Sequence, residues 1–148
     1  MSAKPTIAIA SDHAGYRYKQ AIIAHLQKQG YTVKDFGAHS AEASDYPVWI
    51  RPAAEAVARG EFTYGIVLGG SGNGEQIVAN KVRGVRCPLV FSKDTAVWGR
   101  SHNNANCMAI GERTVSLELA LELVDIFLAT PFEGGRHERR VSLIEPAS

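Results

Sequence analysis

Residues 65–81 constrain the fold most, because an apolar run leads into a glycine-rich turn and then into a helix-compatible stretch. Residues 66–68 are the apolar run, and four glycines follow within residues 69–74. Such a strand–turn–helix junction directs several backbone N–H groups at one point, where an anionic oxygen can bind. Glu75 comes directly after the turn and is a candidate base. The segment therefore indicates proton abstraction next to a carbonyl, with a tight turn that binds nothing as the alternative.

Two nucleotide-binding motifs do not fit this turn. The phosphate loop G-x-x-x-x-G-K-[ST] would require Lys and Ser or Thr where Glu75 and Gln76 stand, so the charge has the wrong sign for a triphosphate. The dinucleotide motif G-x-G-x-x-G, read from Gly70, has Glu75 in place of its third glycine. A nucleotide-binding protein is therefore the least favoured interpretation.

Composition predicts one globular domain spanning residues 1–148, with 45% hydrophobic and 21% charged residues. The net charge of +1 gives no preference for nucleic acid or membranes. Cys87 and Cys107 lie in apolar stretches and form no C-x-x-C pair, which predicts buried free thiols in a reducing compartment. No signal peptide or membrane-spanning run is recognisable, so we expect a cytoplasmic protein.

Strand and helix patterns alternate along the chain. Strands are predicted at residues 6–10, 31–36, 64–68, 85–91 and 107–110. Helices are predicted at residues 16–29, 47–59, 75–80, 93–100 and 116–129, before a partly helical tail from Arg136 onward. This order predicts an α/β fold: a doubly wound, five-stranded parallel sheet with helices on both faces and a C-terminal helical tail. Pro88 cannot donate to a ladder, so we expect a strand end or bulge there.

Ligands of such folds bind at the carboxyl ends of the strands, where several polar segments of this chain converge. Asp12 and His13 are adjacent after the first strand, so their side chains diverge and can serve different parts of one ligand; a capping Asp and a surface His are the alternative. His102 could transfer a proton to or from a sugar oxygen, and Asn103 could orient hydroxyls. A helix end decorated with polar residues is the alternative for that pair.

The C-terminal region carries candidate phosphate ligands. Arg136 and Arg140 are four residues apart, so on a helix they share a face and can grip one phosphate; a solvated basic face is the alternative. Arg113, at a strand end, is a third candidate. The five histidines are scattered, with no H-x-x-x-H motif and no Cys/His cluster, so the sequence predicts no metal site.

Six motifs in sequence order together resemble the B-type ribose-5-phosphate isomerases, in the family that also holds galactose-6-phosphate isomerase subunits. They are Ser-Asp-His-Ala-Gly at 11–15, Asp-Tyr-Pro at 45–47, Gly-Gly-Ser-Gly-Asn-Gly at 69–74 with Ala-Asn-Lys at 79–81, His-Asn-Asn-Ala-Asn at 102–106, Gly-Glu-Arg at 111–113 and Phe-Glu-Gly-Gly-Arg-His at 132–137.

The resemblance implies a Rossmann-like fold and an aldose–ketose isomerase that needs no cofactor or metal and works through a cis-enediolate. It implies interconversion of D-ribose 5-phosphate and D-ribulose 5-phosphate in the non-oxidative pentose phosphate pathway. It also implies a homodimer or a dimer of dimers, with active sites shared between subunits. An isomerase of a six-carbon sugar phosphate and a non-catalytic sugar-phosphate-binding module stay open as alternatives.

One position departs from the family pattern. Many members carry a catalytic cysteine where this chain has Gly69, and neither Cys87 nor Cys107 can replace it. Glu75 is the natural substitute base, and the sequence looks similar to a Glu-bearing branch of the family.

The resemblance also assigns roles to individual residues. Glu75 would be the base, Ser71 would help move the hydroxyl proton, and Asp12 and His102 would assist ring opening. Backbone N–H groups of the turn would hold the enediolate oxygen, and other residues would bind the sugar and its phosphate. The predicted substrate-binding residues are Gly70, Gly72, Asn73 and Gly74 in the turn, Tyr46 and Asn103 at the sugar, and His13, Arg113, Arg136 and Arg140 at the phosphate.

Overall fold

The computed structural model describes residues 4–147, which contain a four-stranded parallel sheet and six α-helices. The strands are β1 (Thr6–Ser11), β2 (Thr32–Asp35), β3 (Tyr64–Gly69) and β4 (Cys107–Gly111). The helices are α1 (Tyr16–Lys28), α2 (Tyr46–Ala58), α3 (Asn73–Asn80), α4 (Lys93–Ser101), α5 (Leu117–Ala129) and α6 (Arg136–Ser142). A short 3-10 helix, His13–Gly15, precedes α1. The predicted helices, including one in the tail from Arg136, are confirmed to within a few residues at their ends.

The period of two along each strand separates the core into two layers. One face of the sheet carries large side chains that pack on α1, α4 and α5, among them Ile7 and Ile9 of β1. The other face carries small ones that pack on α2 and α3, among them Ala8 and Ala10 of the same strand. Helices therefore cover both faces, as predicted.

The predicted fifth strand, residues 85–91, is wrong. The segment runs beside β4 but forms only one isolated bridge, between Leu89 and Ala109. Two hydrogen bonds accompany it, from Val90 N–H to Ala109 O at 2.8 Å and from Ala109 N–H to Pro88 O at 3.0 Å. Pro88 has no N–H to continue the ladder, so the segment stays an irregular edge. Pro88, where the sequence predicted a strand end or a bulge, is therefore the residue that interrupts the pairing.

The thiol prediction is confirmed, since Cys87 and Cys107 are both free and buried. Their burial raises both thiol pKa values, that of Cys107 to about 12. Among the helices of residues 4–147, none is long and apolar enough to cross a membrane.

The strand order β2-β1-β3-β4 places β1 and β3 side by side at the centre of the sheet. The chain moves outward from β1 to β2 and then returns past β1 to β3, so the winding direction reverses between these two strands. Parallel α/β sheets bind ligands outside the carboxyl ends of the strands at such a reversal. The register confirms the convergence, because Ser11 pairs with Leu68 and Gly69 pairs with Gly111.

Candidate active site

The loop after β1 is held by its own aspartate. Asp12 caps the 3-10 helix, and its Oδ1 accepts hydrogen bonds from the N–H groups of Ala14 at 2.9 Å and Gly15 at 3.2 Å. Gly15 lets the loop press against β3, because a Cβ there would lie 2.7 Å from the carbonyl carbon of Leu68. Asp12 therefore does cap a helix, as the alternative interpretation of this residue predicted. The residue is also buried against the cavity described below.

The glycine turn allows two neighbouring side chains to lie directly on its backbone. A Cβ on Gly70 would meet the Arg113 guanidinium at 3.0 Å, and one on Gly74 would meet the Tyr46 ring at 2.7 Å. Gly72 has a φ of 82°, the left-handed conformation that glycine adopts without steric cost, and it caps α3. The turn therefore leaves room for Arg113 and Tyr46 beside a helix N-terminus.

Glu75 lies in the first turn of α3 and is 3% exposed. Its carboxylate fills the space in front of Gly69, so that a Cβ built on Gly69 would overlap both carboxylate oxygens. Burial raises the pKa of Glu75 above its ordinary value; a hydrogen bond from its own backbone lowers it in part, and the Asp12 carboxylate raises it. A buried carboxyl with a raised pKa is suited to accept and return a proton near neutral pH.

These residues surround one cavity of about 260 Å³ at the carboxyl ends of β1, β3 and β4. Its lining consists of Asp12, His13, Ala14, Tyr46, Gly70, Ser71, Gly74, Glu75 and Arg113. Two backbone hydrogen bonds hold the wall of the cavity in place. The Glu112 N–H donates to Gly69 O at 2.8 Å, and the Arg113 N–H donates to Gly70 O at 2.9 Å. Eight of the predicted site residues thus meet in one place.

The exposed imidazole of His13 is oriented by the loop before α2. Its Nδ1 accepts a hydrogen bond from the Ser44 N–H at 3.2 Å. In the neutral ring this bond leaves the proton on Nε2, so His13 presents a donor to a ligand. Asn73 and Gly72 belong to the same turn but do not line the cavity; the Asn73 N–H donates to Ser71 Oγ at 3.2 Å.

The remaining four predicted site residues lie away from the glycine turn and its cavity. His102 follows α4 and stacks on His137, with ring centroids 4.4 Å apart. Asn103 lines a different cavity of about 480 Å³, beside the C-terminal residues 144–146. Arg136 and Arg140 are exposed on α6, one helical turn apart as predicted.

The structure also corrects the prediction that the histidines are scattered. His102 and His137 are neighbours in space, and Glu133 lies against both. Burial lowers the pKa of His137, and the adjacent His102 lowers it as well. Glu133 and His137 lie 31 and 35 positions after His102 in the sequence, so no local spacing rule could have found this cluster.

A glycine-rich turn at a helix N-terminus and a buried carboxylate meet at the reversal point of a parallel sheet, an arrangement suited to an α/β enzyme that moves protons next to a carbonyl. Comparison with known proteins gives the family. The family model described as Ribose/Galactose Isomerase matches residues 7–144. This chain therefore belongs to the ribose/galactose isomerase family.

Three relatives illustrate the match. Ribose-5-phosphate isomerase B of Mycolicibacterium paratuberculosis is 47% identical over 140 residues, covering 93% of this chain and 88% of the relative. The structure of Clostridium thermocellum ribose-5-phosphate isomerase B is 48% identical, with a TM-score of 0.93 and coverage of 94% of each chain. The Mycoplasma genitalium enzyme, solved with bound ribulose 5-phosphate, is 38% identical, with a TM-score of 0.91 and coverage of 97% of this chain and 95% of the other.

The raised pKa of Glu75 makes a prediction about stability. Below pH 4.5, its ordinary value, the carboxyl is neutral in both folded and unfolded chains. As pH rises through the raised pKa, the folded chain must bury a charge, and stability is lost by about 1.4 kcal/mol per unit of elevation. Glu75→Gln lacks this loss, so the free energy of unfolding of the variant should rise relative to that of wild type as pH increases from 4.5 towards and beyond neutrality.

Urea unfolding at several pH values measures this difference. Glu55→Gln, at an exposed position of α2, removes the same charge from the surface and is the control. A difference between Glu75→Gln and wild type that stays constant across this pH range would contradict a raised pKa at Glu75.

Proposed function

We propose that this chain interconverts D-ribose 5-phosphate and D-ribulose 5-phosphate through a cis-enediolate, with Glu75 as the base. Family membership and the names of the relatives support the substrate, and the Mycoplasma genitalium complex supports binding of the ketose product. The reaction belongs to the non-oxidative pentose phosphate pathway and needs no metal or cofactor.

The position of the Glu75 carboxylate carries the assignment of the base. It occupies the space that a side chain at residue 69 would fill, and residue 69 is where many family members carry cysteine. Glycine at residue 69 and glutamate at residue 75 are therefore linked, because any Cβ at 69 would displace the carboxylate. This linkage supports placing the chain in a Glu-bearing branch of the family.

The proton transfers follow from the cavity geometry. Glu75 removes the proton from C2 of the open-chain aldose while the electrons move to the C1 oxygen. Backbone N–H groups of residues 70–74 stabilise the resulting enediolate oxygen, as an oxyanion hole does. Ser71 assists transfer of the proton from the C2 hydroxyl to the C1 oxygen, and Glu75 returns its proton to C1. The product is the ketose, and the enzyme ends in its starting protonation state.

The phosphate and the sugar ring need more groups than one cavity contains. The cavity places two carboxylates, Asp12 and Glu75, beside one guanidinium, that of Arg113, and one imidazole, that of His13. A sugar phosphate is itself anionic, so further cations are needed to hold it. We propose a homodimer in which His102, Asn103, Arg136 and Arg140 of a second copy complete the site, with Asp12 and His102 assisting ring opening.

Exposed apolar residues near the cavity support a subunit interface there. Val48 on α2 is 60% exposed and Ile77 on α3 is 58% exposed. These two helices pack on each other and carry Tyr46 and Glu75 of the cavity. Large apolar side chains exposed on adjacent helices are typical of contact surfaces.

The first experiment is the isomerisation of ribose 5-phosphate by wild type and Glu75→Gln in the presence of EDTA. We expect metal-free turnover by wild type and a loss of about 10²–10⁴-fold in kcat for the variant, because an amide cannot accept the proton. Glu55→Gln should keep wild-type turnover.

Retained turnover in Glu75→Gln would refute the base assignment. An inactive wild type would refute ribose 5-phosphate as substrate and leave a six-carbon sugar phosphate or a binding module, which the same assay with galactose 6-phosphate or allose 6-phosphate separates.

Substitution of Gly69 tests the linkage to Glu75. Gly69→Ala places a methyl group on the carboxylate oxygens, so Glu75 must move by about an ångström, and a displacement of that size costs about a hundredfold in rate. Gly60→Ala adds backbone strain at a φ of 80° but meets no atom within 4 Å, so it is a control for glycine replacement away from the carboxylate and should keep wild-type turnover. Full activity of Gly69→Ala would show that the base does not depend on this space.

Subunit mixing tests the shared site. Arg136→Ala alone should raise KM for the sugar phosphate. In heterodimers of Glu75→Gln and Arg136→Ala chains, one of the two sites combines native Glu75 with native Arg136. At a substrate concentration far below the KM of Arg136→Ala, where both parent dimers turn over slowly, an equal mixture of re-associated chains should therefore recover about a quarter of wild-type activity. No recovery, despite heterodimers detected by mass spectrometry, would mean that both residues act within one chain.

A further inference from the structure

His102, Glu133 and His137 converge at the junction between α4 and α6, although the sequence shows no metal motif. The His137 Nε2 lies 3.7 Å from Glu133 Oε1, and the His102 Nε2 lies 4.0 Å from Glu133 Oε2. One ligand atom from each of the three residues lies within 4.8 Å of the other two. We propose that these side chains form a reversible Zn²⁺ site and that its occupation inhibits the isomerase.

The buried ring of His137 is the second observation that points to a ligand. The residue is 7% exposed, and among residues 4–147 its Nε2 has no hydrogen-bond partner. Buried polar atoms in native proteins are normally paired, so an unpaired ring nitrogen needs an explanation. This nitrogen is directed at the carboxylate of Glu133 across a gap of 3.7 Å, which is too long for a hydrogen bond and too short for an intervening water. A metal ion between the two groups would satisfy both.

The three side chains are held together by the fold. The His102 and His137 rings stack with an interplanar angle of 11°. A metal ion binds an imidazole nitrogen in the plane of the ring, so His102 must turn out of this stack before both rings can reach one ion. The Glu133 N–H donates to the carbonyl of Ser101, next to His102, at 3.0 Å. The carboxylate is therefore tied to the end of α4, and only its exposed side chain must adjust.

The distances lie close to those of an occupied site. Zn–N bonds of about 2.0–2.1 Å in a tetrahedral site place neighbouring ligand atoms roughly 3.3 Å apart. Closing the measured gaps of 3.7 and 4.0 Å, with His102 turned out of the stack, requires rotation of Glu133, which is 57% exposed, and of His102, which is 38% exposed. The same exposure leaves the fourth coordination position open to water.

The ligand chemistry selects Zn²⁺ over the common hard cations. Two imidazoles and one carboxylate are a known zinc ligand set, whereas Mg²⁺ and Ca²⁺ prefer oxygen ligands. The softer thiols of Cys87 and Cys107 are buried and cannot compete. Arg136 adjoins His137 and opposes a cation, so we expect an affinity in the micromolar range rather than that of a structural zinc.

Inhibition follows because a metal ion would occupy the ring nitrogen of His102 that faces Glu133. A coordinated imidazole nitrogen cannot exchange a proton with a sugar oxygen, so ring opening would stop. This consequence, unlike the binding itself, rests on the function proposed above. EDTA would restore activity, since the ion is no part of the reaction.

Calorimetric titration of EDTA-treated, substrate-free protein with Zn²⁺ tests the binding. We expect one ion per chain in wild type and an affinity about tenfold or more weaker in Glu133→Gln, which loses a charged ligand at an exposed position. Glu138→Gln, at an exposed position of α6 next to His137, is the matched control and should bind as wild type does. Titration with Co²⁺ gives a second readout, because its visible absorption strengthens when the ion enters a four-ligand site.

Absence of saturable binding in wild type, or equal affinity in wild type and Glu133→Gln, would overturn the site. For the inhibitory role, Zn²⁺ should suppress turnover of wild type and of Glu138→Gln but spare Glu133→Gln, whose basal activity should be unchanged. If wild type with bound Zn²⁺ kept full turnover, the inhibitory role would be overturned but the binding site would not. Because the binding arm uses no substrate, a failure of the proposed function would leave its result interpretable.

Discussion

The parallel pairing of β1, β3 and β4 is the constraint on which the rest of the structure depends. Its register brings Ser11, Gly69 and Gly111 to the same edge, so that three loops distant in sequence share one small volume. Each loop is then fixed by short backbone contacts rather than by large side chains: Gly15 presses on β3, and a Cβ on Gly111 would collide with the backbone of Ser71 at 2.5 Å. A one-residue shift in either pairing would exchange the Ile and Ala faces of the sheet and separate these loops.

The cavity contains an electrostatically unfavourable pair of carboxyl groups. Asp12 and Glu75 place two carboxyl groups near each other in a partly desolvated space, and no lysine or arginine forms an ion pair with Glu75 among the pairs found in residues 4–147. Structural carboxylates are usually paired or solvated, so this arrangement costs stability. Proteins retain such a cost where the shifted pKa serves a reaction, which is consistent with a proton-transfer role for Glu75.

Much of the fold and part of the site could be predicted from the sequence. The same physical reasoning explains why the remaining features could not be predicted. The glycine turn, the Asp12–His13 loop and Arg113 each follow a buried strand, so the rule that parallel strands end at one edge was enough to group them. Residues 85–91 are apolar enough for a strand, but the single missing N–H of Pro88 limits them to one bridge, and apolarity alone does not reveal that. The pairing of His102 with His137 depends on how α4 and α6 meet, which no local pattern encodes. In the proposed dimer the neighbours of Arg136 and Arg140 would belong to a second chain, which no periodicity within one chain can reveal.

The carboxylate that fills the space in front of Gly69 has a consequence for chemical resistance. A low-pKa thiolate in that place would be open to peroxide and to alkylating reagents, and its sulfinic and sulfonic products would be irreversible. A carboxylate does not undergo these oxidations. The two thiols that remain are buried and poorly ionised, one with a pKa of about 12, so they offer oxidants little to attack. With this carboxylate as the proposed base, the site would contain no thiol for peroxide to inactivate.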